Sequence, residues 1–489
     1  MSAFFGIDVG TSSTKAVVVD ADGSVLRSSS REHAVRRPMT GHVEMDAAVW
    51  WAEFVSLAEE LTADTDVDAV GVSGMGPCVL VTDADGRPLR PAILYGVDTR
   101  ATAQIAALTD RYGVEEILAR TGSVLTTQAV GPKLAWLAEH EPAVFARARL
   151  LFMPSSWLAY RLTGAYRMDY HSASQCAPLF DAGDLAWYEP WAGDIAPHID
   201  LPPLAWPGDE AGRVRHRIGG IRAGTPVTVG TIDAWSEAVS VGAVRPGDLM
   251  LMYGTTMFLI ATTPEPLRVP TMWGTVGAYP DTRNLAGGLA TSGAVTAWLR
   301  ELLGVATYTE LLAEAEASGP GAHGLLMLPY FAGERTPILD PDARGTIAGL
   351  TVAHTRGDLY RAALEATAFA VRHNVEVMAD AGAEPSRVVA VGGGTQGGLW
   401  TRIVSDVTGR AQVLPRQTMG ACFGAAFLAA GRTTDVTIDR WNPPAALVEP
   451  DPRHADRYDR LYGLYRDLYP ATRDISHALA GVQREADQQ

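Results

Sequence analysis

One pattern, met twice, constrains this chain more than any other: a β-forming run, a short turn of glycine and hydroxyl residues, and a second β-forming run. The first copy reads Ala3-Phe4-Phe5-Gly6-Ile7-Asp8-Val9, then Gly10-Thr11-Ser12-Ser13, then Thr14-Lys15-Ala16-Val17-Val18-Val19. The second reads Leu249-Met250-Leu251-Met252-Tyr253, then Gly254-Thr255-Thr256, then Met257-Phe258-Leu259-Ile260. Each predicts a β-hairpin with a donor-rich turn. Gly10 lets the backbone approach a ligand, the amides of Thr11, Ser12 and Ser13 can face an anion, and Lys15 adds positive charge. Such a turn suits phosphate. An ordinary hairpin with Asp8 closing an Asx-turn explains the first copy equally well in isolation, and a coincidental Gly-Thr hairpin would explain the second.

A chain of 489 residues that repeats its opening motif halfway along predicts two domains. The turn cluster Pro246-Gly247-Asp248 places the boundary within Gly242 to Gly247, giving domains 1–243 and 244–489. A formal net charge of −16 excludes a nucleic-acid partner, which needs clustered cations. It leaves room for a small anion held by local amides. The cysteines Cys78, Cys176 and Cys422 lie far apart with no metal-ligand spacing, which predicts a reduced, cytoplasmic setting. No leader pattern opens the sequence and nowhere do 18 uncharged apolar residues run together, so no membrane association is expected. The only lysines, Lys15 and Lys133, follow Thr14 and Pro132, so no Gly-Lys pair exists and a Walker A loop is excluded.

Between the two hairpins, Asp22-Gly23 predicts a third antiparallel strand over 25–31. Asp46 is placed to cap a helix carrying Trp50, Trp51, Phe54, Leu57 and Leu61. Ala69 to Val72 reads as a buried strand ending at Ser73-Gly74-Met75-Gly76-Pro77, and loops at such carboxyl ends are where α/β sheets place ligands. Residues 100–162 are mostly helical, 181–226 read as an irregular insertion, and Val227 to Asp233 is a strand running into a helix. In the second half a helix spans about Ser292 to Leu303 and a longer one about Asp358 to Met378. Val388 to Val391 is a strand opening on the glycine loop Gly392-Gly393-Gly394-Thr395-Gln396-Gly397. A small-residue helix covers Cys422 to Ala430, and the sequence past Asp435 reads as a peripheral helical tail.

Gly392, Gly394 and Gly397 satisfy a Gly-x-Gly-x-x-Gly pattern, which raises a dinucleotide-binding dehydrogenase. That fold needs an acidic residue about 20 positions on to bind the ribose, and Val407 to Thr434 contains no Asp or Glu. A glycine loop at a helix start still suits a nucleotide, because amides and dipole favour phosphate there.

Taken together, Asp8-Val9-Gly10-Thr11-Ser12, Lys133-Leu134-Ala135-Trp136, the strand leading to Asp233, Tyr253-Gly254-Thr255-Thr256, Gly333-Glu334-Arg335-Thr336-Pro337, Gly345 to Leu350 and the Gly392 loop resemble the FGGY carbohydrate kinases. The likeness is greatest to the xylulokinase branch and spans residues 3 to about 430. It implies an α/β fold of two actin-like, RNase-H-like domains closing over a central ATP/sugar cleft, the first binding sugar and the second ATP. It also implies ATP-dependent phosphorylation of a hydroxyl of a small sugar or polyol, such as the ketopentose xylulose, with a homodimer left open. A non-catalytic sugar or nucleotide sensor, or an actin-like ATPase, is the alternative on the same scaffold.

By the same resemblance, Gly10, Thr11 and Ser12, with Lys15, cradle the transferring phosphoryl, while Gly254, Thr255 and Thr256 hold ATP phosphates. Gly293, Gly393, Gly394 and Gly397 line the adenosine site. Asp8 positions Mg²⁺ together with Asp233, and Asp233 is the catalytic base; its alternative role is to cap the helix it opens. The sugar side comprises Gly76, Pro77, Asp98, Arg100 and Asp233, an ordinary ion pair being the alternative for Asp98 with Arg100. Here the chain departs from the branch: Gly76-Pro77 stand where xylulokinases show Met-His, and Gly96-Val97-Asp98-Thr99-Arg100 replaces Trp-x-Asp-x-Arg, with Tyr95 as the neighbouring aromatic. Glu334 is assigned either to organising the cleft or to an ion pair.

Overall fold

A computed structural model describes residues 2–487, so the outermost residues of the two expected domains lie outside it. The opening hairpin forms as β1 (Ala3–Val9) and β2 (Ser13–Asp20), antiparallel, and the Asp22-Gly23 turn returns the chain as β3 (Val25–Glu32). β4 (Ala69–Gly74) joins β1 in parallel. β5 (Glu210–Arg213), β6 (Pro226–Thr228) and β7 (Thr231–Ile232) complete the sheet, whose order is β5-β6-β4-β1-β2-β3 with β7 beside β4.

Side chains alternate across a strand, and β1 shows what that does. Phe5, Ile7 and Val9 enter one core with Trp50, Phe54 and Leu57 of the helix Ala47–Leu61, which Asp46 caps by accepting from the Ala48 amide at 2.9 Å. Phe4 enters another core, with Phe423, Ala426 and Trp441. Gly6 and Gly71 stand side by side across β1 and β4, and a Cβ on either would lie 2.0 or 1.9 Å from a backbone oxygen of the helix Ala421–Ala430. That missing atom lets the helix backbone lie directly on the sheet.

The second unit repeats the plan. β8 (Asp248–Tyr253) and β9 (Met257–Thr263) form the second hairpin, β10 (Arg283–Leu289) follows, and β11 (Arg387–Val391) lies parallel to β8. β12 (Gln412–Pro415) runs parallel to β11, and β13 (Pro444–Val448) closes the edge antiparallel. The order β10-β9-β8-β11-β12 matches β3-β2-β1-β4-β6 of the first unit. A meander followed by parallel crossovers is the RNase-H-like arrangement that the family resemblance implies.

Two expectations need correction, and the packing of the units adds to a third. The stretch 181–226 is not an irregular insertion, because β5 and the start of β6 come from it; Glu210-Ala-Gly-Arg has little strand propensity and owes its conformation to pairing with β6. The sequence past Asp435 is not peripheral. Trp441 is buried against Phe4, β13 extends a sheet, and the helix Ala455–Asp487 buries Tyr458 and Tyr465 completely. The compact units are also discontinuous: one comprises 1–246, 262–284 and 419–443, the other 247–261, 285–418 and 444–489. The segments 262–284 and 419–443 therefore lie with the first unit although they follow residue 244. For 421–430 the reason is the glycine face of β1 and β4.

Candidate active site

The alternation that buries Phe4 and brings Gly6 under a helix leaves Asp8 as the last residue of β1 on that face. Across the strands it is in register with Lys15 of β2 and Ser73 of β4. Asp8 is half-buried, and its Oδ1 is shielded from solvent with no hydrogen-bond partner among the described residues. Burial, reinforced by the charges of Asp233 and Glu237, pushes its pKa up to about 8, against the opposing influence of Ser73 and Lys15.

Asp233 opens the helix Asp233–Ser240, and its Oδ1 accepts from the Ala234 amide at 2.7 Å. Burial raises it to about 6. Glu237, one turn further on the same face, is raised to about 7 by burial and by Asp233, while Lys15 opposes. Lys15 thus opposes the shift at two of the three carboxyls, Asp8 and Glu237. Glu237 escaped the sequence analysis, although its i+4 spacing from Asp233 was the available signal. No group of three or more His, Cys, Asp or Glu among the described residues encloses an ion site. The carboxyls nevertheless fit Mg²⁺, which keeps several waters and takes one or two carboxylates alongside phosphate oxygens.

The first turn is a cradle of unclaimed donors. The Gly10 amide closes the turn on Ser13 O at 3.0 Å, whereas the amides of Thr11 and Ser12 meet no acceptor among the described residues. Thr11 Oγ1 lies 2.9 Å from Tyr95 Oη, which ties the turn to the loop carrying Asp98 and Arg100. Lys15 is exposed.

On the sugar side, Gly76 sits against Ile232, the residue before Asp233: a Cβ at Gly76 would lie 2.6 Å from the Ile232 side chain. This brings the Gly76-Pro77 loop beside Asp233. Asp98 and Arg100 are buried and bound to one another through Nε and Nη2 at 2.9 and 2.7 Å. Arg100 also donates to Glu44 at 2.8 Å and lies over the Trp136 ring, while Asp98 Oδ2 accepts from the Val43 amide at 2.6 Å. Lys133 is buried among these groups, with Asp98, Arg100 and Cys78 acting on its charge, and its Nζ meets no hydrogen-bond partner among the described residues; burial pushes its pKa down to about 8. The Gly96 backbone amide donates a hydrogen bond to Gln128 Oε1 at 2.9 Å.

In the second unit the turn has the same construction. Gly254 N donates to Thr256 O at 3.1 Å, and the amides of Thr255 and Thr256 are unclaimed among the described residues. Beside it lies a pocket of about 470 Å³ lined by Thr255, Gly293, Tyr308, Leu312, Tyr360, Gly393, Gly394, Gln396, Gly397 and Trp400. That volume is ordinary for a small-molecule site, roughly 300–1,000 Å³. All four predicted adenosine-site glycines line it, and its aromatic walls at Tyr308, Tyr360 and Trp400 were not foreseen. Glu334 forms no ion pair among the described residues; its Oε1 accepts from the Ala290 and Arg335 amides at 2.8 and 2.7 Å, and burial raises it to about 8.

Two units of one topology, each ending its first hairpin in a donor-rich turn, one beside clustered carboxyls and the other beside a nucleotide-sized pocket, define a two-domain phosphotransferase. Models of the N-terminal and C-terminal domains of the FGGY family of carbohydrate kinases match residues 3–240 and 249–432, and the chain belongs to that family. It is an ATP-dependent carbohydrate kinase. A xylulose kinase of Streptomyces rubiginosus is 34% identical over 95% of this chain and 96% of that one. The crystal structure of xylulose kinase from Rhodospirillum rubrum aligns with a TM-score of 0.90 at 32% identity, covering 97% of this chain and all of the other. A gluconate kinase structure from Lactobacillus acidophilus aligns at 0.89 and 25% identity over 96% of this chain and 98% of that one.

Proposed function

We propose that this chain transfers the γ-phosphoryl group of ATP to a hydroxyl of a ketopentose, with xylulose as the substrate. The observation that carries the assignment of roles is Asp233, a half-buried residue whose carboxyl is raised to about 6 beside the Gly76-Pro77 loop. At pH 7 it is mainly ionised, yet a stronger base than an aspartate at its ordinary 3.8. Asp233 takes the proton of the attacking hydroxyl as that oxygen bonds to the γ-phosphorus and the bond to the ADP oxygen breaks. The Thr11 and Ser12 amides stabilise charge on the transferring group, and those of Thr255 and Thr256 hold the nucleotide phosphates. Asp8, with Asp233, would hold Mg²⁺, which supplies charge neutralisation at the phosphates when bound.

The sugar identity rests on the kinases named above. On the sugar side, Lys133 Nζ and the Gln128 amide group supply donors beside the rigid Asp98–Arg100 pair. Three free, buried cysteines suit a reducing cytoplasm, and no helix among the described residues is long and apolar enough to cross a membrane. The test is ADP release from Mg-ATP across xylulose, ribulose, tetruloses, pentitols, glycerol and gluconate, each against a blank without sugar. Xylulose is expected to give the highest kcat/KM; gluconate or a polyol in first place would overturn the substrate assignment, and turnover unchanged by any sugar would favour the ATPase.

A further inference from the structure

Two carbonyl groups of the first phosphate turn are held from behind by one residue that the chemistry above does not use. His33, just past β3, is buried under the turn, its side chain only 6% exposed. Its Nε2 lies 3.0 Å from the Gly10 carbonyl oxygen, its Nδ1 lies 3.0 Å from Glu53 Oε2, and its own backbone amide donates to Ser12 O at 3.0 Å. Glu53, on the helix Ala47–Leu61, also accepts from Thr14 Oγ1 at 2.5 Å. A carbonyl oxygen can only accept, so Nε2 carries a proton. The contact between Nδ1 and Glu53 then holds a second proton, on one partner or the other.

The consequence lies in the geometry of a peptide. C=O and N–H point in opposite directions across a trans amide plane. Drawing the Gly10 carbonyl inward onto His33 therefore turns the Thr11 N–H outward, as one of the two amides with no acceptor among the described residues. Ser12 O, drawn to the His33 amide, restrains the other side of the turn. We propose that His33, oriented by Glu53, is a positioning residue that aims the Thr11 amide at the transferring phosphoryl group and holds the turn around it. This rests on the reading of that turn as the phosphoryl cradle.

The test uses the full-length enzyme and two probes, AMP-PNP and ADP, which differ by the terminal phosphoryl group. His33→Phe keeps the ring and removes the donor. It is expected to lower kcat about tenfold or more, less than the 10²–10³ seen when a charge-stabilising donor is deleted outright, because the Thr11 amide remains but loses its aim. KM for the sugar should hold within about twofold, and affinity should fall for AMP-PNP but not for ADP. In Glu53→Gln the amide can donate to Nδ1 while still accepting from Thr14, so a loss of under about threefold is expected; Glu53→Leu, which can do neither, should fall towards H33F.

Equal losses for ADP and AMP-PNP, or an unchanged kcat in a folded H33F, would overturn the proposal. So would a fall in H33F matched by Glu53→Gln, because that pattern reports lost packing rather than lost aim. A wild-type protein that transfers phosphoryl to no sugar would sink the kinase reading of the turn instead, and the two failures are told apart by the wild-type assay alone.

Discussion

The two hairpins are alike in strand order, in the bond that closes the turn and in their paired unclaimed amides. They differ two residues before the glycine and in what holds the turn from behind. At the first position stands Asp8 in one and Met252 in the other. Asp8 brings a carboxyl to the sheet end where Asp233 and Glu237 also converge. In the second unit the turn adjoins a pocket with aromatic walls and no comparable group of acids. One scaffold, built twice, thus yields a site that can move a proton and a site that binds. Support differs just as clearly. Gly254 O and Thr255 O accept from the backbone amides of Gly293, Ser292 and Ala294 at 3.0–3.1 Å, at the start of the helix Gly293–Leu302. The first turn relies on the His33 imidazole, a support that a single substitution can remove.

The comparison breaks first at Asp233. Asp233→Ala should fold and lose phosphoryl transfer by about 10²–10⁴, measured as sugar-dependent ADP release; an active variant would move the base elsewhere. Next in size is Arg100→Ala, which leaves Asp98 buried without its arginine, while Glu44 keeps Arg90. Breaking a buried pair costs about 3–5 kcal/mol, so the first unit should unfold at markedly lower denaturant while nucleotide affinity of the surviving folded protein stays unchanged. Replacing Thr255 with Trp tests the other hairpin. KM for ATP should rise about tenfold, with a value for sugar held within twofold; an effect on sugar alone would mean that the roles of the hairpins are exchanged.

The smallest effect concerns stability. Asp8, Asp233 and Glu237 have pKa values raised from an ordinary 3.8, 3.8 and 4.5 to about 8, 6 and 7. Between the ordinary and the raised values the folded state binds more protons than the unfolded chain, so stability falls as pH rises through that window. Asp8→Asn removes the largest of these shifts. In the ligand-free protein its melting temperature should exceed that of the wild type by a few degrees at pH 8, with the gain vanishing towards pH 4. A gain that persisted at pH 4 would mean that the shift is not the cause.

Much of this molecule was legible because local chemistry and final structure agree. The repeated β-turn-β pattern, the Asp46 cap and the Asp22-Gly23 turn each specify geometry within a few residues. So do the glycines around 392–397, which cannot present side chains to whatever they flank. Asp8 and Asp233 could be singled out from position and motif. Glu237 could have been, since helical periodicity alone sets it beside Asp233.

What the sequence could not show depends on neighbours hundreds of residues away. The helix Ala421–Ala430 reads as part of the second half, yet its backbone lies on Gly6 and Gly71, where the sheet face lacks side chains. Trp441 reads as tail and is core, because Phe4 needs cover. His33 and Glu53 are unremarkable as isolated residues; β3 and the first helix bring them together under Gly10. Chain order determined which turns and elements form. Packing across distant segments decided which charges lose water, and so which groups have shifted pKa values and which amides point outward.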